Sequence, residues 1–275
     1  MNVAIVLVTH NRIDYTRKTV ERLVSDPSEE FDLYIWDNAS TDETQEYLND
    51  AVKDPRVVEV VLSKENVGQS GAMNYVWSKT KAELVGKIDN DCLVTPGWTR
   101  IFAQAHKDIE MLGSVACWHF PAEDFDQTRA AKKIREFNGH KIFMHPATCG
   151  SGFIMKRKTF QEFGPWKKGA GTATTGYFYK MALAGYINGW YYPLVLQEHM
   201  DYPSSKHSRF HRLNFEQAYE GSFGYKYTHI ADMEAYMKLH RVILDSLMDD
   251  PVDPHYYVGW QRRFRRVIHK IRRCL

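Results

Sequence analysis

Residues 84–98 read LVGKIDNDCLVTPGW. A short apolar run ends at Asp89-Asn90-Asp91, which puts two carboxylates one residue apart where a buried strand should stop. Three readings are open. Asp and Asn favour turns, acids at regular spacing make calcium loops, and a carboxylate pair can hold a metal against a phosphate. An EF-hand type of loop fails, because the acids after Asp91 do not recur at the required spacing.

The chain on either side decides the fold. Residues 3–8 (VAIVLV) form a continuous apolar run, as expected of a strand buried on both faces. Asp14 is placed to cap a helix carrying residues 16–24. Residues 31–36 (FDLYIW) read as a second strand, and Ser40-Thr-Asp-Glu43 as a capping box for a helix to about residue 49. Residues 57–62 (VVEVVL) make a third strand, residues 72–79 a helix, and residues 84–88 the fourth strand. Pro96-Gly97 opens a helix to about residue 112, followed by a strand over 114–118. Such alternation predicts an α/β fold, Rossmann-like, with a mostly parallel sheet and helices on both faces. Ligands in these sheets bind beyond the carboxyl ends of the strands.

The second half is less regular. Residues 120–140 read as a surface excursion, and residues 141–155 as two short strands around HPATCGSG. A helix over 156–163 stops at Gly164-Pro165, WKKGAGTATTG (166–176) reads as a mobile loop, and 177–184 as a helix. Residues 190–196 (WYYPLVL) read as a strand near an edge, because Pro193 cannot donate to a ladder. A long helix is expected over 229–248.

Each strand end in the first half carries polar residues: Thr9, Asn11 and Arg12, then Asp37, Asn38 and Ser40, then Asn66 and Gly68, then Asp89, Asn90 and Asp91. A parallel sheet brings all four ends to one edge. Taken in order, VAIVLVTHNR, IWDNASTDET, ENVGQSGAMNYVW and KIDNDCLVTPGW resemble the successive signatures of family 2 glycosyltransferases with the GT-A fold, over residues 3–100 and more weakly to about 200. The resemblance implies a nucleotide-diphospho-sugar donor, with UDP expected. Thr9, Asn11 and Arg12 would hold the nucleotide, and Asp37 with Asn38 the base or ribose. Asn66, Gly68 and Asn74 would lie along nucleotide and sugar. Asp89 and Asn90 would contact the ribose, Asp89 also through metal water, while Asp91 and His199 would ligate Mn2+ or Mg2+. A hard cation bridging the diphosphate oxygens stabilises the leaving group, which accounts for carboxylates at this corner.

One part of the family pattern is missing. An inverting transferase needs a base for the acceptor hydroxyl, and family members carry an acidic pair ahead of the helix ending in LAGY. LAGY is here at 183–186, but Ala173 and Thr174 stand at the acidic positions, and no carboxylate lies between Glu162 and Glu198. Three explanations compete: a base moved elsewhere, retention of anomeric configuration, or an inactive chain. For a moved base, Asp201 and Glu198 are the candidates, with Asp201 preferred because an extended segment points it the same way as His199. Asp124 and Asp126 are more remote alternatives. Trp118, His119 and Trp166 read either as sugar-stacking rings or as ordinary core and surface aromatics.

The 275 residues carry a net charge of +2, which conceals an asymmetry. Residues 260–275 (WQRRFRRVIHKIRRCL) hold seven Lys/Arg and no acid, so the remaining 259 residues sum to −5. From residue 256 the apolar side chains fall on a helical stripe with Arg and Lys opposite. This basic amphipathic tail reads as a peripheral membrane contact through 256–275, or as a helix on the body or an acidic partner. No nucleic-acid motif accompanies the charge. Four widely spaced cysteines give neither zinc site nor disulfide framework, the N-terminal apolar run is too short for a signal peptide, and no run approaches a membrane span. The expected setting is cytoplasmic, on the inner face of a membrane if the tail binds one. The expected organisation is a GT-A domain over 1–205 (donor half 1–115, acceptor half 116–205) and a C-terminal helical extension over 206–275. The expected activity is sugar transfer to a glycan, lipid-linked or small-molecule acceptor, as in cell-surface polysaccharide synthesis. Two rivals remain. A sugar nucleotidyltransferase should carry a glycine-rich phosphate loop after its first strand, and VTHNR has none. A non-catalytic sugar-binding module is kept open by the missing acidic pair.

Overall fold

The computed structural model describes residues 1–51, 53–167, 172–202, 204–212, 217, 230–260 and 267. Its first half runs β1 (Val3–Thr9), α1 (Ile13–Val24), β2 (Asp32–Asp37), α2 (Thr44–Ala51), β3 (Val57–Leu62), α3 (Gly68–Lys79) and β4 (Leu84–Asp89). Next come β5 (Cys92–Val94), α4 (Trp98–Asp108), β6 (Leu112–Ala116), α5 (Gln127–Ala130), β7 (Ile134–Phe137) and β8 (His140–Met144). The chain continues through β9 (Phe153–Lys156), α6 (Arg157–Phe163), α7 (Thr172–Leu183), β10 (Ile187–Tyr192), β11 (Gln197–His199) and α8 (Ile230–Asp249).

Nine strands form one sheet in the order β3-β2-β1-β4-β9-β6-β10-β8-β7. Only β9 and β8 run against the rest, so the sheet is mostly parallel as the alternation predicts. Side chains of β1 alternate strictly. Val3, Ile5 and Leu7 face a core closed by Val20 and Leu23 of α1 and Trp98, Phe102 and Ala105 of α4. Ala4, Val6 and Val8 face a second core closed by Met73, Val76 and Trp77 of α3, Phe178 and Met181 of α7, and Leu247 of α8. The two-residue period of a strand thus fixes both helix layers. Trp118 and Trp166 lie fully within the second core, which removes them as sugar-stacking rings.

Several local expectations are corrected. Helix α1 is preceded not by a capping Asp14 but by Arg12 in the left-handed region, with no side-chain cap of its own. Asp42 supplies the cap instead, taking the Ile13 amide on one oxygen and the Thr44 amide on the other. Ser40 therefore does not cap α2; its hydroxyl donates to Asp37. The excursion at 120–140 contains β7, which extends the sheet edge beside β8. Strand β10 stops before Pro193 and lies inside the sheet between β6 and β8, so that proline marks a strand end and not an edge. Helix α7 begins at Thr172, inside the stretch expected as a loop over 166–176, of which residues 168–171 lie outside the described residues. The long helix lies at 230–249, while most of the basic stretch 256–275 lies outside the described residues. Among the described residues no helix is long and apolar enough to cross a membrane.

A buried histidine gives the fold a pH dependence. His106 of α4 is 1% exposed and donates from Nε2 to the Ile154 carbonyl of β9 at 3.0 Å. Burial pushes it from its ordinary 6.5 down to about 3. The unfolded chain therefore binds a proton that the folded chain refuses, and stability present above pH 6.5 is lost as pH falls towards 3. At about 1.4 kcal/mol per pH unit, the fold is about 2 kcal/mol weaker at pH 5 than at pH 7 through this group alone. Urea unfolding at the two pH values checks this: His106→Gln should remove that share of the difference.

Candidate active site

Register brings the strand ends together. Thr9 pairs with Asp37 and Val8 with Asp89, so β1, β2 and β4 finish at one edge. Thr9 Oγ1 donates to Asp37 Oδ1 at 2.9 Å. The Ser40 amide and hydroxyl and Gln45 Nε2 also donate to that fully buried carboxylate. Asn38 takes the Trp36 indole N–H and the Val67 amide on Oδ1, and exposed Asn66 takes the Gly68 amide. Asn11 Oδ1 accepts from the Thr41 amide at 2.7 Å. The first three strand ends are thus tied into one frame by their own polar side chains. Asp37 presents no unoccupied face there, although the family resemblance would give it to the base or ribose.

The fourth strand end holds the charge. Lys87 of β4 is 1% exposed, and its Nζ meets Asp89 Oδ1 at 2.7 Å, Gln69 Oε1 at 2.8 Å and the Gly150 carbonyl at 2.6 Å. Gln69 Nε2 donates to the same Asp89 oxygen, and the Asp89 amide donates to Ser151 Oγ. Burial, reinforced by the nearby Asp91 charge, pushes the Asp89 carboxyl up against the pull of Lys87. The small-residue run at 149–152 therefore buttresses this corner. Gly152 sits at φ +63°, where an added Cβ would strike Gln197 Oε1 at 1.8 Å.

Past β4 the chain turns through Asn90 and Asp91 into β5. Strand β11 pairs antiparallel with β5, and Glu198↔Leu93 and His199↔Cys92 are partners. That short ladder carries His199 about a hundred residues back to Asp91, leaving Nε2 3.9 Å from Asp91 Oδ1. The Met200 amide donates to the Asp91 carbonyl, so the following turn is tied down as well. Asp201 enters through this turn and not along an extended strand, yet it reaches the same cluster. Its carboxylate meets that of Asp91, and burial pushes its carboxyl up while Arg12 opposes. For Asp91, burial is outweighed by His199 and Arg12, which hold it well below the usual carboxylate range.

Arg12 is the least expected member. It follows Asn11, and both backbones are left-handed, φ 53° and 61°. This turn sends the guanidinium under the acids: Nη1 lies 2.8 Å from Asp201 Oδ2, and Nη2 lies 3.0 Å from both Asp91 Oδ2 and Asn90 Oδ1. Asn90 Nδ2 in turn donates to the Asn11 carbonyl and to Thr16 Oγ1, so both ends of its amide are occupied. Sequence reasoning placed Arg12 and Asn90 on the nucleotide; here their polar groups hold other protein groups.

Two candidates fall outside this cluster. Asn74 pairs both ends of its amide with the Trp166 backbone at 2.8 Å. Glu198, on the opposite strand face from His199, accepts from Ser205 Oγ at 2.6 Å. The side chains of 173 and 174 lie outside the described residues. Asp126 caps α5. Lys87, Gln69, Ser151 and Cys92 went unnoticed in the sequence. Lys87 carried a signal, since residues two apart on a strand share a face with Asp89.

The corner fits a divalent cation. Asp91, Cys92 and His199 bring ligand atoms within 4.8 Å of one another. Cys92 contributes least, because burial holds its thiol well above its ordinary value and it donates to Asp91 Oδ1 at 3.2 Å. His199 Nδ1 is buried without a hydrogen-bond partner among the described residues. Asp91 Oδ1 and His199 Nε2, a hard oxygen and an imidazole nitrogen at 3.9 Å, are close enough for one ion between them.

Comparison with known proteins bears on the family and the fold. The family model described as glycosyl transferase family 2 matches residues 4–176, more than half of the chain. An uncharacterized glycosyltransferase of Rickettsia bellii (strain RML369-C) is 25% identical over 91 residues, which is 33% of this chain and only 13% of that protein. Among solved structures, the mannosyltransferase PcManGT from Pyrobaculum calidifontis in complex with GDP-Man and Mn2+ superposes with a TM-score of 0.61 at 16% identity, covering 99% of this chain and 85% of that one. S. aureus TarS 1–349 in complex with UDP-GlcNAc gives 0.58 at 13%, covering 96% and 75%. At these identities the likeness is one of fold.

Proposed function

The chain belongs to glycosyl transferase family 2, and from that premise we propose that it moves a sugar from a nucleotide diphosphate donor with a divalent metal held at Asp91 and His199. The observation that carries this reading is the meeting of Asp91 Oδ1 and His199 Nε2 at 3.9 Å at the carboxyl edge of the sheet, where such folds bind ligands. Mn2+ or Mg2+ there would neutralise charge developing on the diphosphate leaving group. The metal in the PcManGT complex and the nucleotide sugars in both similar structures support it.

The remaining roles follow from where each group sits. The β1–β2 frame around Thr9, Asn11, Asp37 and Asn38, with Asn66 and Gly68 on its rim, shapes the nucleotide side. Asp89, oriented by Lys87 and Gln69, faces the ribose. Asp201 is the carboxylate we assign to the acceptor proton: it lies at the metal corner, and burial raises its basicity. Glu198, bound to Ser205, is the weaker candidate. The acceptor is a glycan, lipid-linked or small hydroxyl compound, and contact with a membrane would fall to the basic stretch 256–275.

Thermal shift with a panel of UDP, GDP, CDP and dTDP sugars, with and without Mn2+, tests the reading. We expect one nucleotide class to raise the melting temperature by several degrees only when metal is present, as linkage requires of a ligand at saturating excess. A melting temperature unmoved by every donor with metal would sink it.

A further inference from the structure

Arg12 supports an inference that rests on the metal reading above and goes beyond it. Its guanidinium joins both Asp91 and Asp201, at 3.0 and 2.8 Å. Lys87, the buried lysine of this corner, is matched by Asp89. Two carboxylates pressed against each other are relieved by a proton on one of them or by a positive charge beside both, and Arg12, 7% exposed and unable to lose its proton, supplies such a charge. Its position is costly for the backbone, since consecutive left-handed residues that are not glycine are sparsely populated. A side chain that merely lined a nucleotide pocket would not need this burial. Each acid gives Arg12 its Oδ2, which leaves Asp91 Oδ1 turned towards His199.

We propose that Arg12 is the counter-cation of the metal corner: in the free protein its guanidinium neutralises the Oδ2 side of Asp91 and Asp201, beside the Asp91–His199 position where a divalent ion would bind. The ion then gains a stable hold only when the donor's diphosphate adds its own oxygens. A fixed positive charge beside Asp91 lowers the affinity of that carboxylate for any second cation, and burial strengthens the effect by excluding water. The arrangement keeps the corner from filling with metal before the donor arrives, and it makes Arg12 a positioning residue and not a nucleotide contact.

The test titrates Mn2+ alone, without nucleotide, against the wild-type protein, Arg12→Gln and Arg12→Lys, reading free Mn2+ by electron paramagnetic resonance. Removing the charge should tighten Mn2+ binding at least about tenfold in Arg12→Gln, while Arg12→Lys, which keeps the charge, stays within about threefold of wild type. Equal or weaker binding by Arg12→Gln, or equal tightening in both variants, overturns the proposal. If circular dichroism shows Arg12→Gln unfolded, the wild type decides: half-saturation above about 100 µM without nucleotide supports the proposal, and tighter binding overturns it. If no nucleoside diphosphate with Mn2+ shifts the wild-type melting temperature, the donor-site reading itself fails. If one does while Arg12→Gln binds no tighter, only the role of Arg12 is lost.

Discussion

Asp91→Asn lowers metal-dependent turnover of the sugar donor by about 10³-fold or more, a loss of about 4 kcal/mol of transition-state stabilisation. The amide keeps the shape of the carboxylate and its one oxygen can still accept from Arg12, but it loses the bond from Cys92 and the charge that faces His199 at 3.9 Å. The effect falls on the chemical step, because the diphosphate takes on a further negative charge as the glycosidic bond breaks. The fold should survive. Removing one partner of a buried ion pair usually costs several kcal/mol because it strands the other, but Arg12 retains Asp201. Rates of nucleoside diphosphate release across a Mn2+ titration, alongside melting curves, check both halves. A variant with normal turnover at low Mn2+ would contradict the assignment.

Asp201→Asn gives the second large effect: turnover falls by about 10²- to 10⁴-fold, the range of a positioned general base, while the donor-induced melting shift with Mn2+ persists. Asp201 reaches the cluster through the turn after β11, where the Tyr202 amide closes on the His199 carbonyl. Burial raises its carboxyl, which makes it a better proton acceptor than an exposed aspartate, and Arg12 pulls the other way. Glu198→Gln is the control. Its carboxylate is bound by Ser205 on the far face of β11, so its loss should cost less than about fivefold by comparison with the base. If Glu198→Gln is the more damaging of the two, the proton goes elsewhere than Asp201. If neither matters, a mechanism that retains configuration without this base becomes the better account.

Much of the fold was legible because buried parallel strands are continuous apolar runs. VAIVLV, VVEVVL and LVGKID each became a strand of the central sheet, and their polar ends fell at one edge. What stayed hidden depends on long-range pairing. Nothing in GSGFIMK announces that β9 inserts antiparallel between β4 and β6. The family resemblance points to His199, but the ladder with β5 that aims it at Asp91 is a tertiary fact. Arg12 is the clearest case. The family resemblance gives Arg12 to the nucleotide, yet its partners lie 79 and 189 residues away. Two left-handed residues turned it inwards; Asn11 is of a type that tolerates this conformation, but an arginine gives no such warning. The missing acidic pair was visible at once, because its absence is a matter of residue identity alone.

The central claim is that this corner binds a nucleotide sugar through a divalent ion at Asp91. Its most direct test is nucleoside diphosphate release from a panel of nucleotide sugars, with Mn2+ and with the metal removed by EDTA, for the wild type and Asp91→Asn. The account predicts release from at least one donor class by the wild type with Mn2+, abolished by EDTA and reduced by about 10³-fold in the variant. Release that persists in EDTA or is unchanged in Asp91→Asn would contradict it.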